Sequence, residues 1–414
     1  MASQACGLDF GTSNSTVGVG GSLLALEGAA LTLPSAVFWE SDGGAPRFGR
    51  EAVSAYLDGE DGRLLRGLKS TLGSGLIHER TRIGNRAVAF REVLSRFLAA
   101  MKQRAEAQVG QELTDVVMGR PVHFVDDDPE ADTLAESTLG EIAQEIGFRN
   151  VVFQFEPIAA ALDHESRLTG EELVVIVDIG GGTSDFSVVR VGPERAKRAD
   201  RNADILANDG IRVGGTDFDR SFSLAEVMPE LGYLATTRNG AGLMPRHYYL
   251  DLATWHRINT LYAQNVMADM KALRFEIDDP EKLDRMIAVL DGRQGHAVAM
   301  EVERAKIALT TEEATRLQLR QMTGGGNPMA TQPRLETALE PAVDRIVARL
   351  DQVLHLAGVG RDDIGTVFLT GGSSALPMLS ARVAQAFGNA RLARGDDLAS
   401  VGTGLAIDAA RRFG

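Results

Sequence analysis

Several things are missing from this chain, and each absence removes a class of protein. A single cysteine, Cys6, rules out a disulfide within the chain and any cysteine-based zinc cluster. That fits a reducing compartment, and Cys6 opens an apolar strand where packing is its default role. Basic charge is not in excess. Lys and Arg number 43 against 57 Asp and Glu, a formal net charge of −14, which argues against non-specific binding to nucleic acid or an anionic membrane. The most apolar runs, such as Leu173 to Val177, are strand-length and too short to cross a bilayer. Met1 to Ala5 shows no basic region followed by an apolar stretch, so no signal peptide is expected and the reading is cytoplasmic. Three motifs are also absent: Gly-x-x-x-x-Gly-Lys-Ser/Thr, Gly-x-Ser-x-Gly and His-Glu-x-x-His.

What is present is a Gly-rich turn written twice. Gly7-Leu8-Asp9-Phe10-Gly11-Thr12-Ser13-Asn14-Ser15 stands near the start, and Val177-Asp178-Ile179-Gly180-Gly181-Gly182-Thr183-Ser184-Asp185 in the middle. In each, an apolar run ends in Asp, a glycine turn with a hydroxyl follows, and a second strand returns, as in Thr16-Val17-Gly18-Val19 and Phe186-Ser187-Val188-Val189. Glycines let backbone N–H groups approach phosphate oxygens, and the Asp can hold Mg²⁺ through water. One such hairpin has little specificity, since Gly-rich turns are common. Two can grip one nucleotide from opposite sides.

With 414 residues, 44% hydrophobic and 24% charged, the chain has room for two or three domains with large cores. Helical spacing runs from Val93 to Val109 and about Asp132 to Ile146. Strands are expected at Asp115 to Pro121 and Val151 to Phe153, and Glu156-Pro157 opens a helix. This alternation implies a mostly parallel α/β sheet. Residues from about Arg220 to Leu319 read as largely helical with a β-rich patch near Val298-Ala299-Met300, and Gly324 to Pro333 as a loop or hinge. A helix from Leu335 to about Leu356, a strand at Thr366 to Leu369 and a turn at Gly371-Gly372-Ser373-Ser374 lead to helices at the C-terminus.

These residues resemble the actin-like ATPases, and within them the ATPase domain of the seventy-kilodalton heat-shock chaperones, the DnaK class. Six stretches match in order. They are Leu8 to Ser15, Glu156-Pro157 with Ala159-Ala160-Ala161, Asp178 to Asp185, Gly214-Gly215-Thr216-Asp217-Phe218-Asp219, Glu303-Arg304-Ala305-Lys306, and Gly371-Gly372-Ser373 with Pro377. The resemblance implies an α/β fold of two ribonuclease-H-like lobes with inserted subdomains around a central nucleotide cleft. Lobe I would span residues 1–170, with an insertion at about 39–110. Lobe II would span 171–414, with an insertion at about 216–334. No peptide-binding domain is expected, as in the short, YegD-like branch.

The resemblance also implies ATP or ADP and Mg²⁺ as cofactors. Asp9 and Asp178 would coordinate the metal through water. Thr12, Ser13 and Thr183 would donate to phosphates, with Gly11, Asn14, Gly180, Gly181 and Gly182 forming the turns, and Glu156 and Asp185 would order water. Lys69, in Leu68-Lys69-Ser70-Thr71, matches the family's catalytic lysine and would place the attacking water; on its own, a surface lysine is ordinarily just solvated. Glu303 and Lys306 would hold the ribose, and Gly214, Gly215, Gly371, Gly372 and Ser373 would permit close backbone approach. Phosphoryl transfer needs positioning and charge neutralisation more than covalent help, which suits this inventory.

The chain departs from the family at two places. The chaperones stack adenine between two arginines, where this chain has Ile307 and Ala375, so weaker ATP binding and an altered base preference are expected. Gly119-Arg120-Pro121 puts an arginine where the family is apolar. Arg120 either pairs with a carboxylate at the cleft edge or faces the γ-phosphate. The leading reading is a slowly hydrolysing Mg-ATP switch, a monomer acting through a co-chaperone, exchange factor or client protein, with no nucleic acid or membrane partner. The alternatives are an actin-like filament, a nucleotide-binding scaffold with little turnover, and a small-molecule kinase on the same fold.

Overall fold

The computed structural model describes residues 4–84, 86–125, 128–165, 168–198, 200–238, 240, 242–394 and 400–414. Met1 to Ser3, part of the N-terminal stretch read above for a signal peptide, lie outside the described residues. The chain groups into two compact units. The first comprises Met1–Ile211, Arg349–Ser374 and Arg382–Gly414; the second comprises Arg212–Ala348 and Ala375–Ala381.

The first unit contains two sheets built to one pattern, a hairpin extended by parallel strands. In sheet one, β1 (Ala5–Phe10) pairs antiparallel with β2 (Asn14–Val19) and parallel with β3 (Asp115–Arg120), which pairs parallel with β4 (Asn150–Phe155). In sheet two, β5 (Glu172–Ile179) pairs antiparallel with β6 (Ser184–Val191), which pairs antiparallel with β7 (Ile205–Ile211). On its other side β5 is parallel to β8 (Ile364–Thr370), followed by β9 (Arg391–Arg394). The sheets are therefore mixed, because each begins with a tight hairpin that can only be antiparallel. The boundary expected at residue 170 falls between the two sheets, inside the first unit.

Apolar alternation directs the core. Leu8 and Phe10 of β1 pack with Val93, Leu94, Phe97 and Leu98 of α1 (Phe90–Val109) and with Leu139 and Ile142 of α2 (Pro129–Glu145). Helix α3 (Glu156–Glu165) starts on the residue after β4 and contributes Ile158, Ala160 and Ala161 to the core of sheet two. The helix Ser400–Phe413 lies across β1 so closely that a Cβ on Gly7 would stand 2.2 Å from the Ala406 nitrogen, and one on Gly404 would stand 1.9 Å from the Ala159 carbonyl oxygen. Small residues at these positions set the depth to which that helix sinks.

In the second unit, α4 (Gly215–Glu226) follows the Gly214 turn, and α5 (Gly295–Ala308) carries Glu303 and Lys306. The β-rich patch expected near Val298 is helical, with Val298, Val302 and Ala305 buried at helical spacing; the short strands lie further on, at Ala314–Arg316 and Met329–Thr331. The second of these occupies part of the loop expected at 324–333, and the helix Gln332–Ala357 begins three residues ahead of the expected Leu335. Among the described residues no helix is long and apolar enough to cross a membrane.

Candidate functional site

The carboxyl ends of parallel strands are where α/β sheets bind ligands, and the named residues of the first unit collect there. Asp9 sits near the end of β1, Glu156 just past the end of β4, Asp178 near the end of β5, and Gly371 just past the end of β8. Lys69 comes from a single turn, Leu68–Thr71, that follows the strand Gly62–Arg66. Gly67 turns the chain at φ 66°, and Leu68 and Leu72 are buried in the core while the lysine between them reaches away. Its Nζ donates to Glu156 Oε1 at 2.6 Å, with 13% and 15% of the two side chains exposed.

Three glycine turns meet around this pair. The first, 11–14, is held from behind by Ser35, whose N–H donates to the Ser13 carbonyl at 2.8 Å and whose hydroxyl donates to the Gly11 carbonyl at 2.7 Å. The second, 180–183, is closed by the Gly180 N–H donating to the Thr183 carbonyl at 2.9 Å, and Thr183 Oγ1 donates to Asp185 Oδ2 at 3.0 Å. The two turns touch: a Cβ on Gly181 would stand 2.0 Å from Ser13 Oγ. The third joins through Ser373 Oγ, which donates to the Gly180 carbonyl at 3.3 Å. Gly371, at φ 82°, leaves 2.4 Å between an added Cβ and Asp178 Oδ1, so both conformation and space demand glycine there. Around Gly182 the space is open, leaving its backbone free for a ligand to approach.

The electrostatics show what the cluster lacks. Burial pushes the Asp9 carboxyl up to about 7, with Glu156 adding to the shift and Lys69 opposing it. Burial, then Asp185, Glu156 and Asp9, push Asp178 up to about 8, again against Lys69. For Lys69, burial favours the neutral amine, but the attraction of Glu156, Asp9 and Asp178 outweighs it and the pKa rises. One ammonium, that of Lys69, is set among three acidic side chains. Carboxyl oxygens are the kind of donor that suits Mg²⁺, which keeps much of its water shell. Among the described residues no group of three His, Cys, Asp or Glu is placed to hold a metal ion directly.

Arg120 is fully committed. It pairs with Asp132 at 2.9 Å and with Glu136, donates to the Pro121 and Val122 carbonyls, and lies against the rings of Phe124 and Phe155. The carboxylate-paired alternative therefore holds, and the guanidinium has no reason to turn toward a phosphate. Sequence reasoning assigned no role to Ser35, to Gly119, whose added Cβ would stand 3.4 Å from Glu156 Cγ and 3.6 Å from Asp9 Oδ1, or to Gly210, which makes room for Asp185. Only long-range packing reveals what Gly119 and Ser35 touch.

Gly214, Gly215, Glu303 and Lys306 lie in the second unit. Lys306 Nζ is 2.7 Å from Asp219 Oδ1 and donates to the Gly215 carbonyl at 3.3 Å, fixing the glycine turn to α5. The Gly214 N–H donates to Asp217 Oδ2 at 3.0 Å. Glu303 is half-buried on the same helix, and Ile307, next to Lys306, is 57% exposed.

Paired mixed sheets, with Asp-Gly turns at the carboxyl ends of their hairpin strands, define the actin-like ATPase fold. Within that class, the family model described as "Hsp70 protein" matches residues 71–227 and 273–412, more than half of the chain. The chain belongs to the Hsp70 family. It is 25% identical over 426 residues to a "Chaperone protein HscA homolog" of Bordetella petrii and 24% identical over 426 residues to the "Chaperone protein DnaK" of Methanothermobacter thermautotrophicus. The matches cover 98% and 97% of this chain but only 57% and 58% of the relatives.

Proposed function

We propose that this chain is an Mg-ATP-binding, slowly hydrolysing nucleotide switch of the chaperone kind. The observation that carries the reading is the meeting of the turns at 11–14, 180–183 and 371–373 beside Asp9, Lys69, Glu156 and Asp178. Thr12, Ser13 and Thr183 and the glycine N–H groups would bind the phosphate chain. Asp9 and Asp178 would hold Mg²⁺ through water, and the metal when bound supplies positive charge to the phosphates. Glu156 and Asp185 would accept hydrogen bonds from a water that Lys69 orients, while the Lys69 ammonium offsets charge on the terminal phosphate. Glu303 and Lys306 would bind the ribose; Lys306 has a third N–H left for this after its two present contacts.

In this reading residues 1–170 and 171–414 form the two lobes, with insertions at about 39–110 and 216–334. Closure of the lobes on nucleotide would be sensed by a co-chaperone, exchange factor or client protein. Calorimetric titration with ATP is the test. Saturable binding that weakens when Mg²⁺ is chelated supports the reading; binding indifferent to Mg²⁺, or absent, overturns it.

A further inference from the structure

In a chain of net charge −14, residues 62–90 stand apart: they hold Arg63, Arg66, Lys69, Arg80, Arg82 and Arg86 against a single acid, Glu79. The strands Arg80–Ile83 and Arg86–Ala89 form a two-stranded hairpin in which Thr81, Ile83 and Val88 are buried. Alternation along the first strand turns Arg80 and Arg82 outward, about 7 Å apart. Arg86 and Ala87 are exposed on the second strand. Arg63, exposed on the strand Gly62–Arg66, donates from Nη1 to the Arg82 carbonyl at 3.2 Å and so joins the same ridge.

The bonding of these arginines is unlike that of most others. Arg47, Arg50, Arg91, Arg96 and Arg120 all pair with carboxylates. Among the described residues no carboxylate lies within ion-pair distance of Arg63, Arg80, Arg82 or Arg86; the nearby Glu60 is taken by Arg47, and Asp61 by Ser41. Arg82 Nε instead donates to the Gly84 carbonyl at 3.1 Å, and Arg80 Nη1 to the Ala87 carbonyl at 3.4 Å. Backbone anchoring restricts the rotamers while leaving other N–H groups facing solvent, which lowers the entropy lost when a ligand binds.

We infer that this arginine ridge, Arg63 with Arg80, Arg82 and Arg86, docks an acidic polypeptide segment. Guanidinium forks match carboxylates bidentately, which a lysine cannot do. The choice of a polypeptide follows from charge at two ranges. An extended polyanion feels the whole surface and its net charge of −14, whereas a short acidic segment feels what lies within a screening length of about 8 Å at physiological salt. Only the short segment gains from the ridge without opposing the rest of the molecule.

The test uses the full chain and a short fluorescein-labelled glutamate-rich peptide, read by fluorescence anisotropy. Saturable binding that weakens as salt rises, drops at least about tenfold in the Arg80→Glu/Arg82→Glu variant, and falls between the two in Arg80→Lys/Arg82→Lys supports the ridge. All three proteins should melt alike, since these side chains are exposed. Unchanged affinity in the charge-reversed variant overturns the inference. Tighter binding of heparin or of phosphatidylserine vesicles through the same arginines also overturns it, in favour of a polyanion. Self-association that the reversal abolishes overturns it in favour of a second copy of the chain.

Discussion

Lys69 and Glu156, 87 residues apart, meet at 2.6 Å, and their ion pair joins the turn Leu68–Thr71 to the helix start beyond β4. The pair settles one charge. Burial, with acidic neighbours adding to it, keeps the Asp9 and Asp178 carboxyls at raised pKa values despite Lys69. The cluster thus holds two acids whose ionisation folding disfavours.

Removing one of these buried acids should stabilise the free protein. Below its ordinary pKa of 3.8, Asp178 is protonated both folded and unfolded. Between that value and about 8 the unfolded chain ionises while the folded chain holds its proton, so stability is lost as pH rises through this window. In metal-free, nucleotide-free protein, Asp178→Asn is expected to melt several degrees above wild type at about pH 8 and level with it near pH 4, since each pKa unit corresponds to about 1.4 kcal/mol. Scanning fluorimetry at the two pH values checks this; equal melting points at the higher pH would contradict it.

Arg120 is predicted to matter for folding and not for nucleotide. Its loss leaves Asp132 and Glu136 as uncompensated, part-buried carboxylates. Arg120→Ala should lower stability by about 3 kcal/mol in urea unfolding while ATP affinity measured by calorimetry stays within about twofold. A large loss of affinity with stability intact would contradict this.

On the proposed function, the exposed Ile307 and half-buried Ala375 stand where the resemblance implies two adenine-stacking arginines. Restoring both, as Ile307→Arg with Ala375→Arg, should tighten ATP binding by about thirtyfold, each stacked guanidinium contributing on the order of 1 kcal/mol. Calorimetry with ATP and GTP side by side reads the gain, which should be larger if adenine is the base that stacks. No gain for either nucleotide would remove the stacking account.

What could be read from the sequence was local. An Asp, a glycine turn and a returning strand occupy a dozen residues, so Asp9 to Ser15 and Asp178 to Asp185 declare their hairpins without help from the rest of the chain. Lys69 stands out only through the family resemblance, because nothing in Leu-Lys-Ser-Thr distinguishes it from a solvated lysine. Ser35 was not legible at all as a support for the Gly11 turn, since its two bonds span the chain between strands. Val298 to Met300 misled because a short apolar run fits both periods, and the helix shows only when Val302 and Ala305 are counted with it. Strand β9, Arg-Leu-Ala-Arg, has almost no strand character of its own and forms because β8 offers it an edge.

Single-turnover hydrolysis of Mg-ATP by wild type beside Lys69→Ala tests the central claim most directly. The account predicts slow hydrolysis in the wild type and a loss of about a hundredfold or more in the variant, with nucleotide still bound, because Lys69 orients water and offsets charge without being needed to hold the phosphate chain. Equal rates in the two proteins would contradict it.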